Sequence, residues 1–102
     1  MFKAIILLKR KSEASHSEFK DWWLDQHAPL ARQLPGLLKA IFNLVSDEGQ
    51  SNYDGISELW FESRHSFEDA YASEVGQQVA ADSMAHVSER TRLLCDEFTV
   101  KE

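Results

Sequence analysis

One cysteine, two prolines and four glycines in 102 residues remove several kinds of chemistry at once. Cys95 stands alone, so no internal disulfide forms; it reads as an inert packed thiol suited to a reducing compartment, with no nucleophile motif around it. Gly36, Gly49, Gly55 and Gly76 are isolated, which leaves no glycine-rich loop to cradle a phosphate and no expected nucleotide cofactor. His16, His27, His65 and His86 contain no pair at the three- or four-residue spacing of helical metal ligands, so no metal is expected and no cofactor is assigned. Basic residues are scarce, 11 against 17 acidic for a net charge of −6, and Lys9-Arg10-Lys11 is the only basic run. Three residues at a strand end fall short of an electrostatic footprint, and nucleic acid is not an expected partner. The apolar run Ala4 to Leu8 is too short to span a bilayer and no small-residue cleavage site follows it. No membrane association and a cytoplasmic location are therefore expected.

What remains is 43% hydrophobic and 27% charged, enough for one ordinary core and no second, so residues 1–102 are expected to form a single domain. Residues 3–9 read as a strand closed by charge. Ser15 with Glu18 makes a capping box, and Phe19, Trp22, Trp23, Gln26, His27, Leu30 and Leu34 follow at helical spacing as a buried face. Pro29 removes the hydrogen bond to the Asp25 carbonyl, which predicts a kink or an exposed carbonyl close to His27. Pro35-Gly36 stops the helix, residues 37–45 read as a second strand, residues 46–52 as a polar turn containing Gly49, and residues 53–61 as a third strand. On that strand Ile56, Glu58 and Trp60 share one face while Ser57, Leu59 and Phe61 share the other. Ser63 caps a helix carrying Phe67, Ala70 and Tyr71, residues 74–87 read as broken helix, and residues 90–100 as a closing strand.

The order strand, helix, strand, strand, helix, strand predicts an α+β, ferredoxin-like βαββαβ fold with a four-stranded antiparallel sheet covered by helices on one side. Strands one and two are apolar on both faces, however: Ala4, Ile6 and Leu8 oppose Ile5 and Leu7, and Leu38, Ala40, Phe42 and Leu44 oppose Leu37, Ile41 and Val45. Two helices cannot hide both sides, so a symmetric homodimer packing sheet on sheet is expected.

Five segments then show a family likeness: Leu7 to Lys11, Ser15 to Phe19, Trp23 to Arg32, Leu34 to Leu37, and Tyr53 to Phe61. Together, and in this order over nearly the whole chain, they resemble the EthD family of dimeric α+β barrels. The resemblance implies the dimeric barrel and a pocket for aromatic or lactone compounds between sheet and helices. Similar barrels include lactone isomerases, polyketide cyclases, cofactor-free monooxygenases and haem-degrading monooxygenases. Residues 81–86 resemble the family's aspartate-containing stretch, with His86 where an aromatic residue is common, so His86 is expected to alter the pocket mouth.

His27 is the histidine with an apolar helical address, where a neutral imidazole either moves a proton at a carbon acid or serves as a hydrogen-bonded core residue. Glu58, between Ile56 and Trp60, either has a raised pKa and acts as partner acid or orienting group for His27, or pairs with Lys39 or Arg92 across the sheet. Asn43 is a neutral donor able to hold a developing oxyanion, or a plain polar residue near a turn. Trp22, Trp23, Phe42, Trp60 and Phe61 offer flat area for an aromatic ligand or ordinary core, and Asp82 with His86 are spaced to meet on one helix face. His27 and Glu58 are thus the candidate catalytic residues; Trp23, Asn43, Trp60, Asp82 and His86 are the candidate ligand-binding residues. The expected partner is a small apolar or aromatic metabolite. Two rival readings stand beside cofactor-free proton transfer: a haem-binding monooxygenase with His27 as axial ligand, and a non-catalytic binder that carries a hydrophobic metabolite for a monooxygenase system.

Overall fold

The computed structural model describes residues 1–46 and 51–102. The chain runs β1 (Phe2–Arg10), α1 (His16–Trp22), a π-helical turn (Trp23–His27), α2 (Ala28–Ala31), β2 (Lys39–Leu44), β3 (Gly55–Phe61), α3 (Arg64–Ala72), α4 (Glu74–His86) and β4 (Val87–Asp96). The four strands form one antiparallel sheet in the order β2-β3-β1-β4. This is the ferredoxin-like α+β arrangement, with helices on one side of the sheet.

Local chemistry accounts for most element ends. Ser15 accepts from the Glu18 amide while the Glu18 side chain accepts from the Ser15 amide, so the capping box opens α1 as its sequence implies. Pro29 has no amide hydrogen for the Asp25 carbonyl, and the chain responds just upstream with a π turn in which the Ala28 amide reaches back to Trp23. The expected disturbance near His27 is this turn, and His27 is its last residue. Gly36, at φ 79°, reverses the chain toward β2.

Several boundaries differ from the sequence reading. Residues 74–86 form a continuous helix rather than a broken one, because the interruption lies at Ser73, whose extended backbone ends α3 and whose hydroxyl accepts from the Gly76 amide to cap α4. β4 begins at Val87, straight out of α4 without a loop, and ends at Asp96 instead of residue 100. β2 starts at Lys39 rather than Leu37. The centre of the expected polar turn around Gly49 lies outside the described residues.

Alternation along the strands sorts side chains to the two faces. Phe2, Ala4, Ile6 and Leu8 of β1 and Leu59 and Phe61 of β3 are buried under the helices against Phe19, Trp22, Trp23, Phe67, Ala70 and Val79. Each residue on β1 shares its face with its cross-strand partner, so Lys3, Ile5 and Leu7 emerge on the opposite face with Trp60, Glu58 and Ile56 of β3. Among the described residues no helix covers that side.

Sheet and helices approach closely at Gly55, where a Cβ would stand 2.7 Å from Trp23 Cη2 and 3.0 Å from Phe19 Cζ. Trp23 is fully buried and has nowhere to retreat. Gly55→Ala is therefore expected to cost about 1–3 kcal/mol, the range for overpacking a filled core, and to appear as a lower urea midpoint at unchanged slope.

Candidate active site

His27 leaves the π turn pointing at the sheet and is 5% exposed. Its Nδ1 lies 2.8 Å from Asp82 Oδ2, on α4. A carboxylate only accepts, so Nδ1 carries the hydrogen and Nε2 presents its lone pair. Nε2 lies 3.3 Å from Ser83 Oγ, whose hydroxyl donates to it; Ser83 is as buried as His27. The rings of Trp22 and Phe42 stand around the imidazole, with centroids at 5.0 and 6.2 Å. Burial pushes the His27 imidazole below its ordinary value of 6.5, by more than the Asp82 carboxylate raises it. The residue is thus a neutral base with a fixed tautomer in an apolar wall.

His27 faces a small cavity of about 10 Å³, room for at most one water, lined also by Ile6, Leu8, Ser57, Tyr71 and Val79. A much larger groove, about 530 Å³, lies outside it between α2 and β2, against Leu24, Pro29, Arg32, Leu37 and Leu38. Phe42 and Ala31 line both spaces, and Phe42, stacked on Trp23 at 4.5 Å, is the partition.

The sequence-derived site residues divide between the two faces of the sheet. Asp82 and Trp23 lie with His27. His86 lies beside them, its Nδ1 2.9 Å from the Asp82 carbonyl oxygen and its ring stacked on Trp22 at 4.7 Å. Asp82 thus meets both histidines, where sequence spacing paired it with His86 alone. Glu58, Asn43 and Trp60 are on the uncovered face and are not brought to His27. Glu58 pairs with Lys3 at 2.9 Å, not with Lys39 or Arg92, and accepts from the Asn43 amide at 3.0 Å. Lys3 and Asn43 hold its carboxyl below the ordinary range, the reverse of the raised value expected for a partner acid. The Trp60 indole donates to Glu97 at 2.7 Å, and the Asn43 amide also donates to the Ile56 carbonyl oxygen. The reason is register: β3 alternates Ser57 toward the helices and Glu58 away, and β2 does the same with Phe42 and Asn43. Sequence reasoning passed over Ser83 and Tyr71, since neither a helical serine nor a helical tyrosine carries a spacing signal.

Among the described residues no group of three or more His, Cys, Asp or Glu could hold a metal ion, and no helix is long and apolar enough to cross a membrane. The surroundings of His27 do not fit an axial haem ligand, because the space that Nε2 faces has no room for a porphyrin.

The depressed His27 value has a consequence for stability. Below about pH 6.5 the unfolded chain's imidazole binds a proton that the folded one resists, so folding stability falls as pH is lowered through that value toward the folded one. Thermal unfolding followed between about pH 7 and 5 should show a steeper loss for the wild type than for His27→Gln, which has no such proton to exclude.

Residues 11–89 match the EthD domain. No protein of curated function matches the sequence. An EthD family protein from Bacillus halodurans superposes with a TM-score of 0.84 at 22% identity over 96% of this chain and 100% of its own. A dimeric ferredoxin-like protein from Thermobifida fusca gives 0.76 at 13% identity over 92% and 88%. SnoaB, a cofactor-independent oxygenase from Streptomyces nogalater, gives 0.72 at 14% identity over 99% and 97%. At such identities these structures establish the shared fold and nothing finer. With the domain match spanning most of its length and the fold agreeing, the chain belongs to the EthD family.

Proposed function

We propose that this protein is a small-molecule enzyme in which His27, oriented by Asp82, transfers a proton at Nε2 without a cofactor, on a carbonyl, lactone or phenolic compound. The observation that carries the reading is the 2.8 Å contact from Nδ1 to Asp82, which leaves a neutral Nε2 as the basic atom of a buried apolar cavity. Nε2 would take a hydrogen from a carbon next to the carbonyl while the C–H electrons move onto the carbonyl oxygen, and the imidazolium formed would be stabilised by the Asp82 carboxylate. Return of that proton to another carbon gives an isomerisation; attack of the carbanion on a second carbonyl gives a cyclisation; its reaction with dioxygen gives an oxygenation. A neighbouring barrel named as a cofactor-independent oxygenase lends weight to chemistry of this kind.

The cavity as it stands admits only a water, so the body of a substrate would lie in the outer groove, with Phe42 turning aside to let its reacting end reach Nε2. Such partition residues gate access on microsecond to millisecond timescales in many enzymes.

A homodimer belongs to the same reading. The uncovered sheet face carries Ile5, Leu7, Ile41, Ile56 and Leu93 around the Lys3–Glu58 pair, with Ile41 38% and Leu93 46% exposed. A second copy would cover this patch, and the Thermobifida fusca neighbour is described as dimeric. Ile41→Asp should convert a dimeric protein to monomer in sedimentation velocity while leaving its far-UV circular dichroism unchanged.

The chemistry is tested by native mass spectrometry of the protein from its own cells to identify a bound small molecule, followed by deuterium incorporation into that compound in D₂O. Incorporation should fall by about two to four orders of magnitude in His27→Ala, the usual loss for a sole acid-base group, and less in Asp82→Asn, which keeps the imidazole but loses its charged anchor. Near-normal incorporation by His27→Ala would refute the assignment. A bound ligand with no incorporation in any variant would mark a carrier instead.

A further inference from the structure

Leu8 and Tyr71 are part of the wall of the His27 cavity. Arg90 of β4 is the cross-strand partner of Leu8 and so stands on the same, helix-covered face. Its guanidinium packs over the Tyr71 ring at 5.9 Å. The next residue on that face, Arg92, lies over Phe67 at 5.6 Å. Among the described residues neither arginine has a carboxylate within salt-bridge distance, and the buried Arg90 Nε has no hydrogen-bond partner. Arg92 is exposed to solvent, so the cation held partly out of water without a counter-charge is Arg90. An arginine held partly out of water without an anion costs stability, and buried donors in native proteins are nearly always paired. Packing alone does not explain the choice, since a methionine would fill the same space at lower cost.

Resting on the proton-transfer reading, we infer that Arg90, with the Tyr71 hydroxyl, forms an oxyanion-binding end of the His27 cavity, and that the substrate presents there an oxygen that bears, or acquires, negative charge: a carboxylate, an enolate or a phenolate. A planar guanidinium matches such oxygens better than an ammonium does, and a donor already in place in a dry site costs no reorganisation when the charge appears. Burial raises the Tyr71 phenol above its ordinary value despite the nearby arginine, so it keeps the hydrogen it would donate. The arrangement balances the chemistry: the proton leaves carbon toward Nε2 on one side, and the electron pair it leaves behind gathers on oxygen at Arg90 on the other.

Benzoate, 4-nitrophenolate and the neutral isostere benzamide, titrated at pH 8 with indole fluorescence from Trp22 and Trp23 beside His27 as readout, test this. At least one anion should bind tenfold or more tightly than benzamide. Preference for benzoate identifies a carboxylate-bearing substrate, and preference for 4-nitrophenolate an enolate or phenolate. Arg90→Met should erase the preference; Arg90→Lys, which keeps charge and bulk if the methionine variant fails to fold, should weaken it at least threefold. Equal binding of anions and benzamide by the wild type, or an undiminished preference in a folded Arg90→Met, overturns the inference. His27→Gln should retain the preference. Deuterium transfer that fails while the preference persists would therefore count against the proton chemistry and leave the anion site standing.

Discussion

The hydrogen bond between His27 and Asp82 joins the two helical halves of the molecule across the covered face of the sheet. It spans 55 positions in sequence, ties the π turn to α4, selects the tautomer and leaves the Nε2 lone pair on the cavity side. The local cause lies in Pro29. A regular helix would have sent an amide from position 29 to the Asp25 carbonyl; without it the backbone widens into a π turn that ends on the histidine. Core packing holds that irregular turn in place: Trp22 and Phe42 stand around the imidazole, and Trp23 is stacked on Phe42.

The two faces of the sheet carry different electrostatics. Under the helices, His27 meets apolar side chains together with the Asp82 carboxylate, the Ser57 and Ser83 hydroxyls and the Tyr71 phenol, with Arg90 and Arg92 along the outer strand. On the uncovered face, Lys3 bridges Glu58 and Glu97 at 2.9 and 3.0 Å, and Trp60 lies between the ammonium groups of Lys3 and Lys39. In that network Lys3 answers both carboxylates, while Lys39 is held over the Trp60 ring. On the covered side the half-buried Arg90 has, among the described residues, no carboxylate within salt-bridge distance, so the two faces differ in how their charge is compensated.

Much of the architecture was legible along the chain. The capping box at Ser15 and Glu18, the period of the Phe19 to Leu34 face, the alternation of β3 and the order of elements are all set by neighbours within a few residues, and such short-range chemistry is written directly in the sequence. His27 stood out for the same reason, an imidazole on an apolar stripe next to a proline. The break at Ser73 was harder to see, because its hydroxyl acts as a cap only once α3 and α4 turn against each other at that residue.

What the sequence determined by itself is therefore the set of elements, their order, their apolar faces and the one histidine placed against the grain of its helix. Only the tertiary structure decided which polar groups that histidine meets. Glu58 and Asn43 were plausible companions by residue type, yet strand alternation turned both to the other side of the sheet, whereas Asp82 and Ser83 arrived from a helix more than fifty residues away. A face is a local property with a period of two or 3.6 residues, but a partner across the core depends on how layers stack and in what register, and no short-range signal encodes that choice.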